Sequence, residues 1–296
     1  MRLMQDGDYV DMPDKHTHAH ADEYLKSTNF EPAQPRVAAT VMLVRDSQKH
    51  GGAKYLPPAE VGRSKVEVFM LRRAKTMAFT PDAVVFPGGR VDERDADPRL
   101  PWFGPSPAKW AKRLQCDEHM ARCIVVAAAR EVFEECGVLL AGKDGHQVVS
   151  DLADPEWNEY RNALEAREKS FSEMLIEKGL MLRSDLLGLR SNWLTPLFEA
   201  RRYNTFFFAA LLPEGQNPDD RTTEASIADW VDPLWAFDKA DKSQILLLPP
   251  TRYNLGRIAT AQSAAEFVDE NPPVPQYSIK ASRGENGEVR FQCALA

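Results

Sequence analysis

Long apolar runs are missing from this chain. No stretch approaches the length of a membrane span, and the N-terminus has no signal-peptide core, so neither an anchor nor a secretory leader is expected. Cysteine is scarce. Cys116, Cys123, Cys136 and Cys293 form no C-x-x-C pair and no zinc spacing, and a reducing cytoplasm is the expected setting. An excess of positive charge is also lacking: 37 Lys and Arg stand against 44 Asp and Glu, a net charge of −7. That argues against a nucleic-acid-binding surface, yet leaves room for a local basic pocket that takes a phosphate-rich small molecule. No internal repeat is present. What is there suffices for a core: 43% of the 296 residues are hydrophobic, enough for one large domain or two small ones.

The most informative stretch is Arg130 to Val138, R-E-V-F-E-E-C-G-V. Glu131, Glu134 and Glu135 fall at helical spacings that put them on one face. Like charges there repel unless something neutralises them, and a hard cation such as Mg²⁺ or Mn²⁺ prefers oxygen ligands of this kind. Taken alone, E-x-x-E-E is most simply a solvated acidic face. Val132, Phe133 and Val138 supply an apolar side, and Gly137 stands where a C-terminal cap belongs. Upstream, V-V-F-P-G-G (Val84 to Gly89) reads as a short buried strand running into a glycine turn that lets backbone approach a ligand.

F-P-G-G followed by A-A-x-R-E-V-x-E-E-x-G-V resembles the Nudix box, G-x5-E-x7-R-E-U-x-E-E-x-G-U with U aliphatic. Arg130, Glu131, Val132, Glu134, Glu135, Gly137 and Val138 meet every fixed position of its second half. The first half departs. Gly89 and Arg130 are 41 positions apart where the pattern allows 14, so about 27 residues are inserted. Arg122 occupies the place of the usual glutamate eight before Arg130. Asp95 keeps the forward spacing from Gly89, and Glu118 lies one turn before Arg122; either is a stand-in, or none is needed. An insertion here is similar to that of the Nudix 19-like branch, related to coenzyme A diphosphatases. L-R-R-A-x-x-M-A-F-x-P before the box, N-W-L-T-P with R-R-Y-N-T-x-F-F after it, and L-L-P-P-T-R-Y-N-L-G-R-I further on resemble that branch too.

Residues 1–34 are polar and read as an irregular, flexible tail in which His16, His18 and His20 are incidental. A domain is expected over 35–245, with strands at Arg36–Arg45 and Lys65–Arg73, the second pairing with the first. The insertion, about 92–116, is proline-rich at its start. Trp102, Phe103 and Trp110 suggest that it packs as a lid, and Pro107–Leu114 suits a short helix. A helix follows from about Asp117, its N-cap, to Cys136. One or two helices fall in Asp154–Gly179, strands in Arg201–Pro213 and Thr223–Val231, and a helix begins at Pro233. Residues 246–296 add a C-terminal helix and tail packed on the domain, with a terminal hairpin around Gly284 and Gly287.

The resemblance covers roughly residues 36–260. It implies the α/β (α+β) Nudix sandwich, a mixed sheet between helices with the box as loop–helix–loop. It implies Glu131, Glu134 and Glu135 as ligands of Mg²⁺ or Mn²⁺, with the Gly88 carbonyl as a further ligand. Arg130 would orient Glu131, and Glu131 or Glu224 would act as general base. Arg72, Arg73, Arg201 and Arg202 are candidates for phosphate contact, and Phe79 for lining the substrate pocket; the plainer alternatives are solvated strand ends and a core ring. The implied substrate is a small nucleoside diphosphate derivative, coenzyme A or an acyl-coenzyme A first, with ADP-ribose, NADH or a dinucleoside polyphosphate as alternatives. A non-catalytic nucleotide sensor is the other reading, favoured by Arg122. Nudix enzymes are often dimers, and the resemblance carries a homodimer as an expectation.

Overall fold

The computed structural model describes residues 3–12, 15–47, 52–73, 83–219 and 225–296. Helix α1 (Lys15–Lys26) leads into strands β1 (Arg36–Asp46), β2 (Val66–Arg73), β3 (Val84–Val85) and β4 (Gly88–Arg90). Then come β5 (Trp102–Phe103), α2 (Pro107–Leu114), α3 (Glu118–Cys136), β6 (Ala141–Gly142), α4 (Pro155–Glu165) and α5 (Phe171–Glu177). The chain continues through β7 (Met181–Arg183), β8 (Leu187–Leu194), β9 (Tyr203–Leu211) and β10 (Ala225–Val231). It closes with α6 (Pro233–Asp241), α7 (Pro249–Thr260), α8 (Ala264–Asp269), β11 (Gln276–Arg283) and β12 (Val289–Leu295).

Strand β1 sets the architecture. It is apolar along nearly its whole length, and alternate residues face opposite layers. Ala39, Val41 and Leu43 join the core that holds Ile124, Ala128 and Val132 of α3. Met42 and Val44 join the opposite core with Leu255 and Ile258 of α7 and Phe267 of α8. One sheet is thus covered on both faces, the α/β/α sandwich that the resemblance implies. Its order is β10-β2-β1-β9-β8-β11-β12, with β3 on β2 and β4 on β1. β1 runs parallel to β9 and antiparallel to β2, so the sheet is mixed. A small second sheet, β5-β7-β6, packs at the side.

Helix α3 has the expected limits for the expected reasons. The Asp117 carboxylate accepts the Met120 N–H at 2.8 Å, and Gly137, at φ 68°, turns its N–H back to the Phe133 carbonyl. From Cys123 to Ala129 the helix is buried all round. The reason is the insertion: Trp110 and Leu114 of α2 are buried in the core α3 shares, on a helix that would otherwise face water. The insertion is therefore packed, but only its first residues, Asp92 to Asp95, reach the main cavity.

Three local readings are corrected. Residues Lys15–Lys26 form a helix where an irregular tail is expected; Ala21 is fully buried and the His18 ring packs edge-on to Phe291, centroids 4.8 Å apart. Val84 to Gly89 is two short strands, because Pro87 has no N–H for a ladder: β3 pairs with β2, and β4 pairs with β1. The C-terminal segment holds two helices where one is expected; the expected hairpin is there and extends the main sheet, with β11 alongside β8.

Candidate active site

The site is built where β4 crosses the last two turns of α3. At Gly88 a side chain would meet backbone, and at Gly89 it would displace the Glu131 carboxyl. A Cβ on Gly88 would lie 2.6 Å from the Ala39 carbonyl, and one on Gly89 would lie 2.6 Å from the Glu131 carboxyl. The absence of side chains lets the strand backbone lie directly against the acidic face. The Gly88 N–H donates to Glu135 Oε2 at 2.7 Å. This is the amide of the residue whose carbonyl the resemblance offers as a ligand.

Arg130 organises the carboxylates. Its Nη1 is 2.7 Å from Glu131 Oε1 and 3.4 Å from Glu134, and its Nε is 3.0 Å from Asp95 Oδ1. Nη2 donates to the Arg90 carbonyl at 2.8 Å, which ties α3 to the end of β4. Asp95 is 1% exposed and accepts the Asp92 N–H as part of a capping box around the 3-10 turn Glu93–Ala96. Of the two candidates for the missing box carboxylate, Asp95 and Glu118, Asp95 is the one in contact with Arg130. Arg122 instead lies over the Trp102 ring, 5.1 Å from its centroid, and donates to the Asp97 carbonyl.

Burial pushes the Glu131 carboxyl up to about 7, against the opposing pull of Arg130. Burial likewise raises Asp95 and Glu134. Burial alone would lower Arg130, but Glu131, Asp95 and Glu134 hold it above the ordinary arginine range. Three buried or half-buried carboxylates thus share one guanidinium, and the cluster is short of positive charge. The donor set is all oxygen, which suits a hard divalent cation. Among the described residues no three such side chains are arranged to hold an ion as they stand, since Arg130 bridges Glu131 and Glu134. The chemistry of the donors fits the cation.

These groups line a cavity of about 1260 Å³, together with Arg36, Ala38, Thr40, Tyr203 and Thr205 from the sheet, Asn162 and Glu165 from the end of α4, and Arg167, Lys169 and Ser170 from the α4–α5 connection. Asp92 clasps its two sides: its carboxylate holds both Arg94 and Arg167. Below the cluster, buried Arg161 caps α3 by donating to the Glu134 carbonyl at 3.0 Å and pairs with Asp219 at 2.7 Å.

The remaining candidates lie elsewhere. Arg72 lines a separate, mostly apolar cavity of about 220 Å³ between β2, β3 and α6. Arg202 is buried and donates to the Thr195 and Ala33 carbonyls, and burial lowers it, so it ties chain segments together rather than meeting substrate. Arg201 is exposed beside it and outside the cavity. Phe79 and Glu224 lie outside the described residues, as does the Arg73 side chain. Sequence reasoning passed over Arg36, Arg90, Arg161 and Tyr203. Arg90 carried a signal, as the residue directly after the Gly-Gly turn; Arg161 carried none in its charged helical context.

Fold and site together define a Nudix-type domain. A solved Nudix hydrolase from Alicyclobacillus acidocaldarius shares the fold: TM-score 0.59, 24% identity, covering 82% of this chain and 99% of that one. The family model for the NUDT19 Nudix domain matches residues 108–258, and the chain belongs to that family of Nudix hydrolases. Similar relatives include acyl-coenzyme A diphosphatase NUDT19 of Xenopus laevis, 26% identical over 263 residues, with 74% of this chain and 68% of that protein covered. The putative nudix hydrolase 7 of Caenorhabditis elegans is 30% identical over 222 residues, with coverages of 74% and 65%. The human NUDT19 diphosphatase is 28% identical over 246 residues, with coverages of 71% and 64%. The chain spans about two thirds of the length of these relatives.

Proposed function

We propose that this Nudix hydrolase cleaves the diphosphate of coenzyme A or an acyl-coenzyme A, with Mg²⁺ or Mn²⁺ as cofactor. The observation that carries the reading is the meeting of Glu131, Glu134 and Glu135 with the Gly88-Gly89 backbone in one cavity, with Arg130 anchored on Asp95. The acyl-coenzyme A diphosphatases among its relatives support the choice of substrate.

Glu131, Glu134 and Glu135 would hold the cation, with Gly88 beside them. When bound, it would neutralise the diphosphate and lower the pKa of an attacking water. Arg130 fixes the Glu131 carboxylate, and Asp95 fixes Arg130. Glu131 or Glu224 takes the proton as water adds to phosphorus and the bridging oxygen leaves. Guanidiniums at the cavity wall stabilise the charge that develops on the phosphoryl oxygens. The products would be a 4′-phosphopantetheine species and adenosine 3′,5′-bisphosphate. Asp95 supports catalysis over the nucleotide-sensor reading, because it supplies the carboxylate that Arg122 does not.

The test is product formation from coenzyme A, an acyl-coenzyme A, ADP-ribose, NADH and diadenosine polyphosphates in Mg²⁺ and in Mn²⁺, with Glu135→Gln as control. Hydrolysis of coenzyme A compounds, lost in the variant, is expected. Hydrolysis of ADP-ribose alone would overturn the substrate, and nucleotide binding without turnover of anything would overturn the enzyme reading.

A further inference from the structure

We propose that Arg36 and Arg90 form an anion subsite, which takes a phosphomonoester carried on the nucleoside sugar of the substrate, away from the bond that is cleaved. The inference rests on the pyrophosphohydrolase reading and adds a second point of charge recognition to it.

Strand register builds the subsite. Arg90 of β4 is the cross-strand partner of Ala38 on β1, so it shares a sheet face with Arg36 two residues along. On the other side of β1, Tyr203 of β9 pairs with Arg36 and Thr205 pairs with Ala38. A single methyl group, that of Ala38, is therefore ringed by two guanidiniums, a phenol and a hydroxyl. All five residues line the cavity that also holds Glu131, Glu134 and Glu135.

Charge balance sets the two arginines apart. Elsewhere around the cavity the arginines have carboxylate partners: Arg94 and Arg167 share Asp92, and Arg130 pairs with Asp95 and Glu131. The side chains of Arg36 and Arg90 have no hydrogen-bond or ion-pair partner among the described residues. One end of the cavity is thus rich in carboxylate and the other has two guanidiniums without a partner among the described residues, which suit phosphate oxygens in geometry as well as charge.

Spacing fits one extended ligand. Thr40 is the β1 partner of Gly88, beside the carboxylates, and Arg36 lies four residues further along the strand, about 13 Å away at the rise of a β-strand. A diphosphate at the acidic end leaves its sugar between the two, with a sugar phosphate within reach of the arginine side chains.

The experiment measures binding of adenosine 3′,5′-bisphosphate, adenosine 2′,5′-bisphosphate and AMP by calorimetry, to the full chain and to Arg36→Gln/Arg90→Gln. In parallel, kcat/KM is compared for coenzyme A and 3′-dephospho-coenzyme A. The full chain is expected to favour one bisphosphate over AMP by at least tenfold, and which of the two is favoured says whether the phosphate sits on the 3′ or the 2′ oxygen. The double variant should lose that preference, and the ratio of kcat/KM values should fall at least tenfold. Arg36→Lys/Arg90→Lys should restore part of both, which a loss of folding would not allow. A full chain that binds AMP as tightly as both bisphosphates would overturn the subsite, as would an unchanged ratio in the double variant. If no substrate is turned over, the pyrophosphohydrolase reading fails, and the binding comparison still decides the subsite.

Discussion

Asp95 and Arg130, 35 positions apart in sequence, meet in a buried ion pair, Oδ1 to Nε 3.0 Å. Their contact joins the first turn of the insertion to the acidic face of α3. Removing Asp95 leaves Arg130 its ion pairs with Glu131 and Glu134 but takes away the bonds that tie its Nε side to the insertion, so the guanidinium loses its fixed position. Asp95→Ala is expected to lower the melting temperature and to cut kcat/KM at least tenfold. Restoring a glutamate at the other candidate place, in Asp95→Ala/Arg122→Glu, should rescue neither, because Arg122 faces Trp102 and not Arg130. Rescue in a thermal melt or an activity assay would sink the assignment of Asp95.

Gly89→Ala separates site from fold. The added methyl meets the Glu131 carboxyl, which can swing aside without breaking the core. Activity should drop by about a hundredfold or more, in keeping with catalytic groups displaced by about 1 Å. The melting temperature should change little. A variant with full activity would show that Glu131 need not sit where it does.

Arg161→Ala removes the cap from the end of α3 and strips Asp219 of its partner. A lost hydrogen bond to a charged group is worth about 1.5–3 kcal/mol. Urea unfolding should show a loss of that order, with a milder fall in activity than for any of the three glutamates. No change in midpoint would mean that the cap is redundant.

Asp92 offers a pH test. Its hydrogen bond from Arg94 holds the carboxyl down at about 2, below the ordinary 3.8. A depressed carboxylate contributes stability that is present above the unfolded value and is lost as pH falls through the folded one. The clasp between the 3-10 turn and the α4–α5 connection should therefore weaken between about pH 4 and pH 2. Asp92→Asn should be less stable than the parent at pH 7, with the gap closing towards pH 2. A gap that stays constant with pH would rule the ion pairs out as its source.

Cation binding should register in stability. A ligand at a hundredfold excess over its Kd adds about 2.7 kcal/mol to the folded state. Mg²⁺ or Mn²⁺ should raise the melting temperature of the full chain and not that of Glu131→Gln/Glu134→Gln. Equal shifts in both would place the ion elsewhere.

The legible parts of the molecule were those whose signals are local. The caps at Asp117 and Gly137 and the β-rich, mostly apolar run of β1 act within a few residues, and each falls where expected. Helix α1 was missed because it has no apolar stripe of its own; tertiary contacts at Ala21 and His18 hold it. The four arginines proposed for phosphate illustrate a different limit. Their chemistry is visible in a sequence, but the direction in which each points is not, and Arg202 proves to be tied to carbonyls while Arg36 and Arg90 open on the cavity. For the box carboxylate, counting forward from Gly89 finds the partner of Arg130 and counting back from Arg130 does not, since the inserted residues come after Asp95.

The position of that insertion also bears on how the chain folds. Bringing β4 to α3 closes a loop of 41 residues where an uninterrupted box would need 14. The entropy of loop closure grows only with the logarithm of length, so the added penalty is about 1 kcal/mol. Trp110 and Leu114, both buried, contribute more than that in the docking of α2 on α3. The inserted segment thus packs with α3 as a helical hairpin whose contacts are short in sequence and lie within the long loop. An interruption in the middle of the box is packed against the helix that carries its second half.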